Sequence, residues 1–92
     1  MGLLSQDEAQ QRAEGLDGWA LKDAMLTKEV KGDDFASSVR LVNRIAEVAE
    51  EMNHHPDLEI SWDTVRISIT THSEGGLTAS DFELAARIDA LA

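Results

Sequence analysis

The chain has 92 residues, no cysteine, and eight Lys plus Arg against 18 Asp plus Glu, for a formal net charge of −10. That balance opposes approach to a phosphate backbone, so direct nucleic-acid binding is not expected, and the missing cysteines exclude disulfides, thiolate metal sites and a cysteine nucleophile. One domain over residues 1–92 is expected, and because so small a domain hides only about 60–65 % of its unfolded surface, self-association would bury more apolar area.

The first residues, MGLLSQDE, carry no basic segment followed by an apolar run, and Gln6 stands where a myristoylation signal has Ser or Thr. No apolar run nears the roughly 20 residues of a membrane span. A cytoplasmic protein without a membrane partner is the expectation. Ser5 and Glu8 have capping-box spacing and open a first helix over Gln6 to Glu14. Gly15, Asp17 and Gly18 end it, and two short stretches holding Trp19, Leu21, Leu26 and Val30 fit a hairpin around Asp23 and Ala24.

Gly32, Asp33 and Asp34 lead into the clearest element, a helix from about Phe35 to Asn53. Phe35, Val39, Val42, Ala46 and Ala49 form one apolar stripe, and Leu41, Ile45, Val48 and Met52 form a second beside it. The combined arc is wider than one sheet requires and suits either core or a subunit interface. Pro56 stops the helix and pins His54 and His55 at its C-terminus. Leu58, Ile60 and Trp62 then alternate with polar residues, as do Val65, Ile67 and Ile69, which predicts an antiparallel hairpin of two half-buried strands with Trp62 in the core and His72 beside Thr70 on the polar face. After Gly75 and Gly76, Thr78 and Asp81 repeat the capping-box spacing before a last helix marked by Phe82, Leu84, Ala85, Ile88 and Leu91. The order is helix, two strands, helix, two strands, helix. That is an α+β plan, with a four-stranded antiparallel sheet and helices on one face.

The chemical signal is three histidines within 19 residues. Imidazole is the side chain best suited to acid and base work near neutral pH. A helix C-terminus favours imidazolium, and Glu50, one turn before His54, is placed to help hold a proton on it. Plain capping of the helix end by a charged side chain would also explain His54. Glu50 and His54 have the i, i+4 spacing of two metal ligands, with His72 as a third candidate, but there is no HExxH pattern and no metal is expected. No nucleophile-elbow pattern supports a serine triad.

The run Glu50-Glu51-Met52-Asn53-His54-His55-Pro56, then Trp62, Thr71-His72, Gly75-Gly76-Leu77-Thr78 and Asp81, resembles the pterin-4a-carbinolamine dehydratase family, and the resemblance extends from about Leu3 to Leu91 with Trp19 included. It implies the same helix and strand order, a homodimer or homotetramer, and elimination of water from 4a-hydroxytetrahydropterin to give quinonoid dihydropterin. The activity would serve aromatic amino-acid hydroxylases and need no cofactor or metal. By the same resemblance His54 and His72 form the acid and base pair and His55 orients the pterin. Pro56, Thr71, His72, Ser73 and Glu74 border it, Glu50 holds a histidine or the substrate, and Trp19 is either a pocket wall or a core residue. The chain differs from many members at Leu58, where an aromatic is common, and at Ser73, where an acidic residue is common. The family also includes non-catalytic modules that promote dimerisation or assembly of a protein partner, which would use the apolar helix face instead of the histidines.

Overall fold

The computed structural model describes residues 2–91, so Met1 and Ala92 of the expected domain lie outside the described residues. The elements are α1 (Gln6–Glu14), β1 (Ala20–Lys22), β2 (Met25–Lys31), α2 (Phe35–Met52), β3 (Asp57–Ser61), β4 (Thr64–Ile69), a short 3₁₀ turn (His72–Glu74) and α3 (Ala79–Asp89). The four strands form one antiparallel sheet in the order β1-β2-β4-β3. This is the α+β arrangement that the sequence pattern predicts. Between the paired Lys22 and Met25, Asp23 (φ 49°) and Ala24 (φ 61°) both take left-handed backbone, the geometry whose twist matches a two-residue hairpin.

Register decides which face of the sheet is apolar. Leu26 lies opposite Ile69, Val30 opposite Val65, Leu58 opposite Ile67 and Ile60 opposite Val65, so these side chains share one face. The helices pack there: Leu26, Val65, Ile67 and Ile69 are buried with Ile45 of α2 and Phe82, Leu84, Ala85 and Ile88 of α3. On the other face Arg66 bridges Glu29 (2.8 Å) and Glu59 (2.9 Å) across three strands. These exposed ion pairs contribute little stability and mark a solvated surface.

Helix α2 starts at Asp34, whose side chain accepts from the Ser37 amide at 2.8 Å. It ends by a Schellman arrangement in which Asn53 turns left-handed (φ 52°) and the His54 amide reaches back to Ala49 O at 3.0 Å. Asn53 is therefore the cap, not the last helical residue. Ile45 and Ala49 are buried, and Leu41, Val42, Val48 and Met52 half-buried, but Phe35 and Ala46 of the expected stripe are exposed. Phe35 is the first helical residue, and the buried position of that turn goes to Ser38, whose hydroxyl donates to Trp62 O at 3.0 Å.

Two further expectations need correction. Trp62 is 70 % exposed, because β3 ends at Ser61 and Trp62 forms the tight turn that lets Ser61 pair with Thr64. Its left-handed backbone (φ 53°) breaks the alternation that would have sent it to the core. His72 is not on β4 either. The strand stops at Ile69, Thr71 pairs with Gly76 instead of a neighbouring strand, and His72 opens the 3₁₀ turn that this bridge closes.

The α2 cap gives a pH-dependent prediction. The hydrogen bond from the Ser37 amide, helped by the Ser37 hydroxyl, holds the Asp34 carboxyl below its ordinary value. The folded state thus binds this proton less readily than the unfolded state, so the cap's contribution is complete above the unfolded carboxyl's range and is lost as pH falls through the lowered folded value. Asp34→Ala is expected to lower the urea midpoint at about pH 7, with the difference from wild type shrinking as pH falls through the lowered folded value.

Candidate active site

The three histidines sit on two neighbouring stretches of chain. His54 and His55 occupy the connection from α2 to β3, ahead of Pro56, and His72 stands in the loop from β4 to α3. Two glycines shape that loop: Gly75 takes φ 76°, and Gly76 is buried where an added Cβ would lie 3.0 Å from Leu3 Cδ2.

Asp81 joins the two stretches. Its Oδ1 lies 2.6 Å from His54 Nε2, while its Oδ2 accepts from the Thr71 hydroxyl and from the Thr78 amide, both at 2.8 Å. Thr71 Oγ1 also lies 3.0 Å from Thr78 Oγ1. Asp81 is fully buried and His54 largely so, with 15 % of its side chain exposed. Oδ2 of this buried carboxyl thus takes two donors, which leaves Oδ1 to His54 Nε2.

Glu50 was the expected partner of His54 but pairs with His55 Nε2. The left-handed Asn53 explains the exchange. It ends the helix before His54, so the i, i+4 relation to Glu50 no longer places the two side chains on one face. Glu50 and His54 thus turn to different partners, and among the described residues no three His, Asp or Glu gather as a metal site would require. His55 and Glu50 are both exposed, and the His72 ring makes no hydrogen bond among the described residues.

A profile described as pterin 4 alpha carbinolamine dehydratase matches residues 2–91. The chain belongs to that family. A Nostoc protein that carries the provisional name pterin-4-alpha-carbinolamine dehydratase is 45 % identical over 86 residues, 94 % of this chain and 92 % of its own length. The crystal structure of a transcriptional coactivator/pterin dehydratase from Brucella melitensis superposes with a TM-score of 0.94 over 99 % of both chains at 30 % identity. A pterin dehydratase-like protein identified as a RuBisCO assembly factor of the alpha-carboxysome matches with a TM-score of 0.64 at 26 % identity, covering 79 % of this chain and 84 % of its own.

Not all residues that the pterin-4a-carbinolamine dehydratase resemblance marked lie together. Ser73 and Glu74 are exposed beside His72, and Pro56 is half-buried beside His55. Thr71 is half-buried, with its hydroxyl engaged by Asp81 and Thr78. Trp19 is buried, and its indole N–H donates to the Asp89 carboxylate at 3.0 Å. Asp89 is eight residues along α3 from Asp81, or about 12 Å at 1.5 Å per residue, so Trp19 is anchored at the opposite end of that helix from the His54 contact. The sequence pattern places Asp81 in a capping box and in the family motif, but gives it no role at the site. Its return bond to the Thr78 amide is present, but the contact with His54 spans 27 positions and left no local signal.

Proposed function

We propose that this chain is a hydro-lyase acting on 4a-hydroxytetrahydropterin, with His54 and His72 dividing the two proton transfers. The observation that carries the reading is the link through Asp81, which ties His54 and the turn bearing His72 to one buried carboxylate. Hydroxide is a poor leaving group and must be protonated as the C4a–O bond breaks, while a ring nitrogen of the pterin gives up a proton. One imidazole supplies the first proton and the other accepts the second, so the pair returns to its starting charge once the protons re-equilibrate. His55 is exposed and paired with Glu50, which suits a role in orienting the pterin, with Pro56 and the segment from Thr71 to Glu74 along its border.

In this reading the enzyme recycles the pterin of aromatic amino-acid hydroxylases and works as a homodimer or homotetramer in the cytoplasm. Among the described residues no helix is long and apolar enough to cross a membrane. The test is the dehydration rate of freshly generated 4a-hydroxytetrahydropterin, followed by absorbance with and without the protein. Acceleration that saturates with substrate is the expected result. A folded protein that gives only the buffer rate would sink the dehydratase reading and turn attention to a non-catalytic role in assembling a protein partner.

A further inference from the structure

We propose that Asp81 is a positioning residue that locks His54 in the Nε2–H tautomer and so makes Nδ1 the nitrogen that exchanges protons with the substrate. The inference rests on the dehydratase reading and goes beyond it, since it names the atom and the group that selects it. Every contact of the carboxylate points the same way. The Thr78 amide can only donate, the Thr71 hydroxyl donates to the same oxygen, and the remaining oxygen faces His54 Nε2 at 2.6 Å. With both oxygens occupied and the group fully buried, Nε2 has no acceptor role open to it. Nδ1 of His54 makes no hydrogen bond among the described residues, so it is the nitrogen left for chemistry. Neutral His54 then takes a proton at Nδ1, and protonated His54 gives one from Nδ1. Thr71 directly precedes His72, so the same carboxylate also sets the register of the second histidine.

Asp81→Asn separates this role from simple packing. The Thr71 hydroxyl and Thr78 amide still need an acceptor, so the amide oxygen stays on their side and the NH₂ turns to His54. Nε2 must then accept, and the ring hydrogen moves to Nδ1. A wrong tautomer of this kind costs on the order of 10²–10⁴ in kcat, with KM within about threefold of wild type. The experiment pairs those kinetics with long-range ¹H–¹⁵N spectra of the His54 ring, recorded on the alkaline side of its titration. Expected are a protonated Nε2 and bare Nδ1 in the wild type, the reverse in Asp81→Asn, and the loss in kcat. A wild type with bare Nε2, or a variant with a reversed tautomer and full kcat, overturns the proposal. If the wild type lacks dehydratase activity altogether, the functional reading fails while the spectra still decide the tautomer. Should Asp81→Asn not fold, Thr71→Val removes one donor and is expected to lower kcat about tenfold, with rescue by Thr71→Ser. Wild-type kcat in Thr71→Val would then overturn it.

Discussion

His54→Ala and His72→Ala are each expected to lower kcat for pterin carbinolamine dehydration by about 10²–10⁴, the range a positioned acid or base contributes. Their effects on stability should differ sharply. His54 is largely buried, and its removal leaves Oδ1 of a fully buried carboxylate without its donor, which costs about 1–3 kcal/mol. His72 is exposed and its ring bonds nothing among the described residues, so its truncation should stay within about 0.5 kcal/mol. Single-turnover rates and urea titrations on both variants check the pair of expectations. A His72→Ala protein with wild-type rate would assign both proton transfers to the other two histidines, and a His54→Ala protein as stable as wild type would mean that Asp81 does not depend on that contact. The double variant should lose little more kcat than the worse single one, because residues that act as a unit are strongly non-additive.

The parts of the fold that were legible in the sequence are those where a side chain's location follows from its phase alone. Val65, Ile67 and Ile69 alternate along a central strand, and Ile45 and Ala49 repeat along a helix, so burial follows from periodicity. Trp62 shows where that stops. It is in phase with Leu58 and Ile60, yet the strand ends one residue earlier, and nothing in the alternation announces the left-handed turn that throws the ring outward. His72 fails the same way, since it is in phase with Thr70, but Thr71 pairs back onto Gly76. The histidines themselves were visible by type and clustering. Which carboxylate takes which histidine was not, because pairing depends on where α2 unwinds. One left-handed residue, Asn53, moved Glu50 from His54 to His55 and left the inner histidine to Asp81, on a helix that is remote in sequence.

Ile69→Ala is expected to be among the most damaging single changes to stability. Ile69 is fully buried opposite Leu26, at the end of β4 from which the 70–76 loop departs. Truncating a buried isoleucine to alanine costs about 2–5 kcal/mol, through lost transfer energy and the cavity left behind. At about 0.05–0.15 kcal/mol per residue, a chain of this length has only about 5–14 kcal/mol in hand, so this one change could remove a third or more of it. The edge strand offers the control. Ile60 faces the same side of the sheet opposite Val65 but is 37 % exposed, so Ile60→Ala removes less burial and should cost under about 1.5 kcal/mol. Denaturant midpoints rank the two. Kinetics on Ile69→Ala carry further information, because relaxation around the cavity would shift Thr71 against Asp81, and a loss of kcat in protein that is still folded would trace the coupling from core packing to the histidine pair.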